Sequence, residues 1–329
     1  FGTGADSARQ CRLAQRALAA GGCRLSGAAA IGQFGADPGR AQDTGRNDPG
    51  GGRNTGRELI GLQEVGVNQV EEYYDQISQR EWERFDRHPT EFSVTQRALC
   101  DHLPAAPAKI LDIGGGPGRY AIWLTQKGYT VTLLDLSRQN LALARSKSSE
   151  TGLKLEAVMH GNALDLSAFP DESFDVVLLM GPLYHLVKEE ERRRAIFEAR
   201  RVLKTGGRLF VAFICRFAIV RYDSHALPLE LMENPQFTTR VLENGINDGA
   251  LGFTEAYLAH PDEIQPLMES CGLRMLDMVG VEGIVAGHEE GVNALNGPAW
   301  EYWVDLNYRL GRDSSLRGAS DHILYIGEK

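Results

Sequence analysis

The chain has 329 residues, of which 43% are hydrophobic and 24% charged, a composition typical of globular proteins. Its 35 basic and 44 acidic residues give a formal net charge of -9, which excludes a general electrostatic attraction to nucleic-acid backbones or anionic membranes. No apolar run approaches the roughly 18 residues of a membrane span, and the five cysteines, without a CxxC pair, argue against a disulfide framework or a zinc site and favour the reduced thiols of the cytoplasm.

The first 60 residues differ from the rest of the chain. They contain 13 Gly, 11 Ala and 8 Arg but no Lys, and large apolar residues are sparse after Leu25. Such a segment cannot bury enough apolar surface to offset the entropy lost on ordering it. We therefore expect residues 1–60 to be a disordered or artificial leader, with a transit peptide as the alternative, and we place the folded domain at 61–329.

The folded domain is predicted to begin with a helical cover at 69–103, where aliphatic and aromatic residues recur at helical spacing. In 104–215, which we interpret as a cofactor-binding core, short apolar runs alternate with amphipathic segments, and this alternation predicts a parallel sheet with helices on both faces. The strands of the core are predicted at Lys109–Ile113, Thr130–Leu134, Leu153–Met159, Phe174–Met180 and Arg208–Ile214.

The alternation of strands and helices is not continued in the rest of the domain. Residues 216–261 contain scattered aromatics with Pro, Asn and Gly, and we expect them to form an inserted lid. Residues 262–329 are predicted to supply C-terminal helices and the last two strands, at Arg274–Val281 and His322–Ile326. The predicted fold is therefore α/β: a Rossmann-like, mostly parallel seven-stranded sheet with helices on both faces and an inserted lid.

A glycine-rich loop follows the first strand. The run Ile110–Tyr120 reads ILDIGGGPGRY, so an apolar strand leads into four glycines and then a helix. Glycine allows a ligand to approach the backbone closely, and the N-terminus of the following helix favours a negative group. Asp112 precedes this loop and Asp135 ends the second strand, where an acid suits the two hydroxyls of a ribose. The loop is therefore the predicted cofactor site.

Two nucleotide cofactors remain open at this point. The dinucleotide fingerprint GxGxxA can be placed on Gly116, Gly118 and Ala121, which would predict an NAD(P)-dependent oxidoreductase. That alignment starts late in the loop and leaves Asp112 beside a pyrophosphate that it would repel. An amino-acid-derived ligand carries an ammonium group, which Asp112 could help to hold.

The pattern Asp112-x-Gly114-x-Gly116-x-Gly118 resembles motif I of class I S-adenosylmethionine-dependent methyltransferases, in the branch that includes ubiquinone and menaquinone biosynthesis enzymes. Four further segments match this family in order, at Asp135-Leu136, at Gly161–Ala163, at Phe174–Gly181 and at Arg201–Phe210. The resemblance implies S-adenosylmethionine as cofactor, S-adenosylhomocysteine as product and the following binding residues: Asp112, Gly114, Gly115, Gly116, Gly118, Asp135, Leu136, Asn162, Ala163, Met180 and Gly181. Asn162 departs from the Asp usual in that branch, although an amide oxygen can also accept from the adenine amine.

The segment after the fourth strand bears on the methyl acceptor. It reads MGPLYH and not the Asn/Asp-Pro-Pro-Tyr of enzymes that methylate nucleic-acid bases, so we expect transfer to an O, N or C nucleophile of a small molecule, with no nucleic-acid partner. His185 is a candidate base because its side chain titrates near neutrality, and Tyr184 beside it is the second catalytic candidate. An orienting role for His185 is the alternative.

Three aromatic residues of the helical cover, Tyr73, Tyr74 and Trp82, are expected to bind substrate, since this region folds over the cofactor in related enzymes. Simple packing on the sheet is the alternative, above all for Trp82. The histidines and cysteines show no metal-ligand spacing, which predicts no metal. A non-catalytic protein that only binds S-adenosylmethionine also remains open.

Overall fold

The computed structural model describes residues 58–226, 228–249 and 254–329, so almost all of the expected leader lies outside the described residues. A seven-stranded sheet forms the centre, in the order β3-β2-β1-β4-β5-β9-β8. Its strands are β1 Lys109–Ile113, β2 Thr130–Asp135, β3 Ala157–His160, β4 Phe174–Leu179, β5 Leu203–Ile214, β8 Arg274–Gly280 and β9 His322–Glu328. Strands β1 to β5 pair in parallel, whereas β9 runs antiparallel between β5 and β8. The predicted fold class is confirmed.

The third strand begins four residues later than predicted. Residues 151–153 close the preceding helix, because the Thr151 and Leu153 amides donate to the Ser148 carbonyl. Leu155 is buried although it precedes the strand. Pairing with β2 starts only at Ala157, which lies opposite Thr132. An apolar pattern therefore located the strand but not its first residue.

Helices cover both faces of the sheet. One face packs against α6 and α10, and the other packs against α3, α4, α5 and α12. In chain order the helices are α1 Glu58–Trp82, α2 Arg84–Arg87, α3 Pro89–His102, α4 Arg119–Gln126, α5 Arg138–Glu150, α6 Glu189–Val202, α7 Ala218–Ala226, α8 Pro228–Glu233, α9 Pro235–Asn244, α10 Pro261–Ser270, α11 Glu290–Asn293 and α12 Gly297–Gly311. None of the described helices is both long and apolar enough to cross a membrane.

The segment after β5 contains α7 to α9 and a short antiparallel hairpin, β6 Ile246–Asp248 with β7 Glu255–Tyr257. Its base is fixed to the core by charge. The Arg216 guanidinium donates to both carboxylate oxygens of Glu263, at 2.8 and 2.7 Å. The Arg192 guanidinium lies 3.5 Å from the centre of the Tyr257 ring. These contacts hold the hairpin near the carboxyl ends of the strands.

The cysteines agree only in part with the expectation of reduced thiols. Cys215 and Cys271 are buried and free. Burial raises the pKa of the Cys215 thiol to about 11, so this thiol stays protonated and unreactive at neutral pH. Cys100, by contrast, is disulfide-bonded, and the wide spacing of the cysteines gave no sign of it.

Candidate active site

A cavity of about 460 Å³ opens at the carboxyl ends of β1, β2 and β4. In parallel α/β sheets this edge is where ligands bind. Thirteen of the predicted site residues line its wall: Tyr74, Asp112, Gly114, Gly115, Gly116, Asp135, Leu136, Asn162, Ala163, Met180, Gly181, Tyr184 and His185. The topology therefore brings together residues that lie up to 111 positions apart in the chain, as Tyr74 and His185 do.

The glycine loop crosses the segment after β4 at very short range. A Cβ added to Gly114 would lie 2.6 Å from Cδ of Pro182, and one added to Gly181 would lie 2.9 Å from the Gly114 carbonyl oxygen. Gly114 also has φ of +67°, which side chains rarely tolerate. Two strand-end loops thus pack backbone against backbone and form the floor of the cavity.

Gly116 has a different role from Gly114. Its φ is +57°, but a Cβ there would meet only Asn140 and Glu81, both at 3.9 Å. The space beside Gly116 is open and belongs to the cavity wall. This glycine therefore leaves room for a bound group, whereas Gly114 makes room for the protein itself.

Asp112 is a buried carboxylate at the end of β1. It is 1% exposed, and its Oδ2 atom has no hydrogen-bond partner among the described residues. Burial, with a smaller effect of the Asp135 charge, raises the pKa of Asp112 to about 7. A buried polar atom without a partner is costly. A ligand donor in the cavity would remove that cost.

Asp135 connects the glycine loop after β1 with the segment that follows β2. Its Oδ2 accepts a hydrogen bond from the Gly116 amide at 2.8 Å, and its Oδ1 accepts one from the Ser137 amide at 2.8 Å. Burial is the largest influence on this carboxyl group and raises its pKa, although these amide bonds oppose the change. The sequence suggested a ligand role only. The structure adds that the carboxylate orders the loop around the cavity.

The segment after β3 forms a turn at the opposite wall. Asn162 Oδ1 accepts from the Leu164 amide at 2.9 Å, which is the local turn bond expected for asparagine. Ala163 is 7% exposed and packs into the core. The amide oxygen of Asn162 is thus already in use, and its contact with adenine stays a prediction.

His185 lies at the other end of the cavity, in a short 3₁₀ helix at Pro182–His185. Its Nε2 is 2.8 Å from the Tyr74 hydroxyl, and its Nδ1 is 3.1 Å from Oγ1 of Thr254. Burial lowers the pKa of His185 to about 4, so the imidazole is neutral at pH 7. A ring with both nitrogens occupied and this pKa is a weak proton acceptor. The geometry supports the orienting alternative more than the base.

The Tyr184 and Tyr74 rings pack against His185 edge to face, with centroids 4.7 and 5.3 Å from the imidazole. Burial raises the pKa of both phenols above their usual value. Both hydroxyls therefore stay protonated at neutral pH, where they can donate or accept hydrogen bonds.

Comparison with known proteins agrees with this architecture. A family model described as a methyltransferase domain matches residues 111–211. A methyltransferase named GfsG from Streptomyces halstedii is 30% identical over 54% of this chain and 56% of its own length. A ubiquinone biosynthesis O-methyltransferase of Pseudomonas fluorescens is 27% identical over 56% of this chain and 72% of its own. The chain thus spans little more than half of the Streptomyces relative.

Among solved structures, a Burkholderia thailandensis 1,6-didemethyltoxoflavin-N1-methyltransferase with bound S-adenosylhomocysteine has a TM-score of 0.50 at 14% identity, covering 82% of this chain and 89% of that one. At this identity the likeness concerns the fold. Together with the domain match over residues 111–211, the sheet order and the cavity at the glycine loop, it supports a class I S-adenosylmethionine-dependent methyltransferase. The oxidoreductase alternative is not favoured.

The cavity suits the methyltransferase cofactor. Asp112 offers an unpartnered carboxylate oxygen, which matches the ammonium of the methionine part. The open space beside Gly116 allows close approach to the backbone. Both features fit a bound cationic ligand.

Three predicted site residues do not reach the cavity wall, namely Gly118, Tyr73 and Trp82. Gly118 is the N-cap of α4 with φ of +86°, and a Cβ there would lie 3.2 Å from Ala144. The Trp82 ring stacks with the Arg119 guanidinium, 4.9 Å away, at the surface of the core. The packing alternative therefore accounts for Trp82, because the last turn of α1 points its side chain at α4.

Several lining residues were not anticipated from the sequence. Glu81 lies at the end of α1 and Arg84 at the start of α2, whereas Thr254 and Glu255 come from the inserted hairpin. Glu81 and Arg84 lie in the charged run REWERFDR, which reads like a solvated helix face. Glu81 and Arg84 line the cavity only because of where they lie relative to loops distant in the chain, so no local sequence pattern could reveal it.

Beneath the cavity lies a buried ionic cluster. Glu91, Glu282 and His322 could reach a common metal ion, the one such group among the described residues. However, Glu91 already accepts from Arg84 at 2.6 Å, and Glu282 pairs with His322 at 2.5 Å. The charges thus satisfy one another. The absence of a metal site stays a prediction.

Proposed function

We propose that this methyltransferase moves a methyl group from S-adenosylmethionine to a small-molecule acceptor. One observation carries the proposal: a single cavity joins the glycine loop and Asp112 to Tyr74, Tyr184 and His185. The cofactor residues and the acceptor residues therefore face the same enclosed space. Proximity and alignment of this kind account for a large part of the catalysis of a transfer reaction.

At the cofactor end, Asp112 is proposed to hold the ammonium group and Asp135 the ribose hydroxyls, with Leu136 and Ala163 beside the adenine. When bound, the sulfonium supplies an electrophilic methyl group. The chain contributes a rigid floor, because Gly114 and Gly181 fix the two loops against each other. It also contributes negative charge, from Asp112 and Asp135, that matches the positive charge of the cofactor.

At the acceptor end, the α1 helix and the β6–β7 hairpin close over the site. Tyr74 from α1 and Thr254 from the hairpin both contact His185. We propose that these contacts orient the acceptor and exclude water, with Tyr184 as a hydrogen-bonding group beside it. The volume of about 460 Å³ is typical of small-molecule sites and supports a small acceptor.

Calorimetry tests the cofactor assignment. The protein should bind S-adenosylmethionine and S-adenosylhomocysteine, and it should not bind NAD(H). Release of S-adenosylhomocysteine in the presence of an acceptor then separates an enzyme from a non-catalytic binder. Binding of NAD(H) instead of S-adenosylmethionine would reject the proposal.

Two further assignments belong to the proposal. The free thiols of Cys215 and Cys271 support a cytoplasmic location, whereas the disulfide at Cys100 opposes it. An acceptor other than nucleic acid is supported by the net charge of -9.

A further inference from the structure

The acceptor end of the cavity holds a partly buried cation, Arg84, whose guanidinium is paired with two carboxylates of this chain. Its Nε donates to Glu81 at 3.0 Å, and its Nη1 donates to Glu91 at 2.6 Å. The Arg84 side chain is 26% exposed and the Glu91 side chain 8%. Two carboxylates flank one guanidinium, so this group carries a net negative charge and would not attract an anion.

The other cations of the described cavity wall are also paired. Arg119 donates to Asp86 at 3.0 Å, and Nζ of Lys188 lies 3.3 Å from Glu191. Each cation that could bind an anionic acceptor therefore has a carboxylate partner in the chain. Breaking such pairs would cost energy that an anionic acceptor would have to supply.

Carboxylates exceed cations on the same wall, by seven to three in the described part of the cavity. At the acceptor end they are Glu81, Glu191, Asp248 and Glu255. Like charges placed together across an interface cost several kcal/mol. A phenolate, carboxylate or phosphate would therefore meet an excess of acidic groups and, on the described wall, only cations that are already paired.

A hydroxyl acceptor would need a base, and the described cavity offers poor ones. Both nitrogens of His185 are engaged, by Tyr74 and Thr254. Three of the four acceptor-end carboxylates are held by cations of the chain, Glu81 by Arg84 at 3.0 Å, Glu191 by Lys188 at 3.3 Å and Asp248 by Arg240 at 2.5 Å. The fourth, Glu255, is exposed to solvent. The described cavity wall thus lacks a good general base that could remove the proton of a neutral alcohol.

We infer that the acceptor presents an uncharged amine nitrogen and carries no negative charge; this rests on the proposed methyl transfer. An amine that is uncharged at neutral pH, such as an arylamine, attacks with its own lone pair and needs no base beforehand. The nitrogen–methyl bond forms as the sulfur–methyl bond breaks, and that electron pair stays on sulfur. The methylated ammonium then loses its proton to water. The negative wall and the faces of Tyr74 and Tyr184 stabilise the cation that forms.

Three ligands with the same ring test this inference: aniline, phenol and benzoate. Each is titrated into the S-adenosylhomocysteine complex at neutral pH, with binding followed by NMR, and each is offered as acceptor with S-adenosylmethionine. Aniline should bind more tightly than benzoate and should be the preferred acceptor if any is turned over. Equal binding of aniline and benzoate, a preference for phenol or benzoate as acceptor, or no detectable binding of aniline would overturn the inference.

A charge variant checks that the cavity is the source of the preference. Glu255→Gln should strengthen benzoate binding about two- to fivefold, the usual range for one exposed charge contact, and should leave aniline binding unchanged. Glu243→Gln changes an exposed carboxylate of the same insertion outside the cavity and should have no effect. Unchanged benzoate binding in Glu255→Gln, or the same change in both variants, would contradict the inference. If S-adenosylmethionine itself fails to bind, the proposed function fails instead, which calorimetry on the same sample distinguishes.

Discussion

The hydroxyl of Tyr74 lies 2.8 Å from Nε2 of His185, while Nδ1 of the same ring lies 3.1 Å from Oγ1 of Thr254. Tyr74 belongs to the helical cover and Thr254 to the insertion, so one imidazole connects both covers of the cavity. Because burial lowers the pKa of His185 to about 4, the ring makes this connection in its neutral form at physiological pH.

Removing either partner of the Tyr74–His185 contact should therefore destabilise the fold in a coupled way. Tyr74→Phe and His185→Ala are each expected to cost about 1 kcal/mol of unfolding free energy, the net value of a hydrogen bond. The double variant should lose less than the sum, with a coupling energy of about 0.5–1.5 kcal/mol measured by urea denaturation. Tyr73→Phe is the control, since Tyr73 does not line the cavity. Strict additivity would show that the contact contributes nothing.

Asp112→Asn should stabilise the free protein and weaken cofactor binding. The folded-state pKa of Asp112 is raised to about 7 from 3.8, so native stability falls as pH rises from about 4 to 7. Removing the charge should restore up to about 4 kcal/mol at pH 8, seen as a higher melting temperature. Wild-type affinity for S-adenosylmethionine should rise from pH 6 to 8 as the carboxylate ionises, and the variant should lack this dependence. A less stable variant that binds the cofactor normally would refute this role.

Asp135→Ala should reduce S-adenosylmethionine affinity by about 1.5–3 kcal/mol, the range for hydrogen bonds to charged groups. Because Asp135 also accepts from the Gly116 and Ser137 amides, the variant should melt earlier as well. Asp135→Asn separates the two effects, since its amide oxygen can still accept from a backbone amide. Normal affinity in a folded Asp135→Ala protein would reject the ribose assignment.

Two glycines of the same loop should respond differently to alanine. Gly114→Ala should lower the melting temperature strongly, because the new Cβ would lie 2.6 Å from Pro182. Gly116→Ala meets only contacts at 3.9 Å, so it should cost about 1 kcal/mol of backbone strain and mainly weaken cofactor binding. Gly116→Val should abolish binding while unfolding stays cooperative. Equal thermal losses at both positions would contradict this division.

The buried Glu282–His322 pair should make stability depend on pH in two windows. The pKa of His322 is raised to about 9 by Glu282 against the effect of burial, so its contribution is complete below about 6.5 and is lost as pH rises through 9. The pKa of Glu282 is lowered to about 2, so its contribution is complete above about 4.5 and is lost as pH falls toward 2. His322→Asn should cost about 3 kcal/mol near pH 6 and less above pH 9. The control variant His288→Asn, at an exposed histidine, keeps the Glu282–His322 pair and should therefore retain both windows.

The sequence predicted the parts of the fold that rest on repeating patterns. Apolar runs separated by glycine turns located the strands from β1 to β5, and the acid–glycine motif located the cavity floor. It could not reveal that the acceptor wall includes Glu81, Arg84 and Glu255. These residues are polar in a chain rich in polar residues, and only packing of α1 and the β6–β7 hairpin over the sheet brings them together. The same reason explains why the sequence could not reveal that Trp82 packs against Arg119 of α4 and lies outside the cavity wall: its spacing fits α1, but the direction of its side chain depends on α4.

Strand order has a consequence for protein synthesis. In the described sheet, β8 pairs only with β9. The edge of β5 that faces away from β4 also pairs with β9. A growing chain therefore exposes the edge of β5 and an unpaired β8 until residues 322–328 emerge from the ribosome. Exposed strand edges are sites of wrong pairing between chains. The cofactor half of the sheet can form earlier, since β1 to β5 pair among themselves. Nascent chains stalled before residue 322 should thus engage chaperones, and release of the last strand should end that dependence.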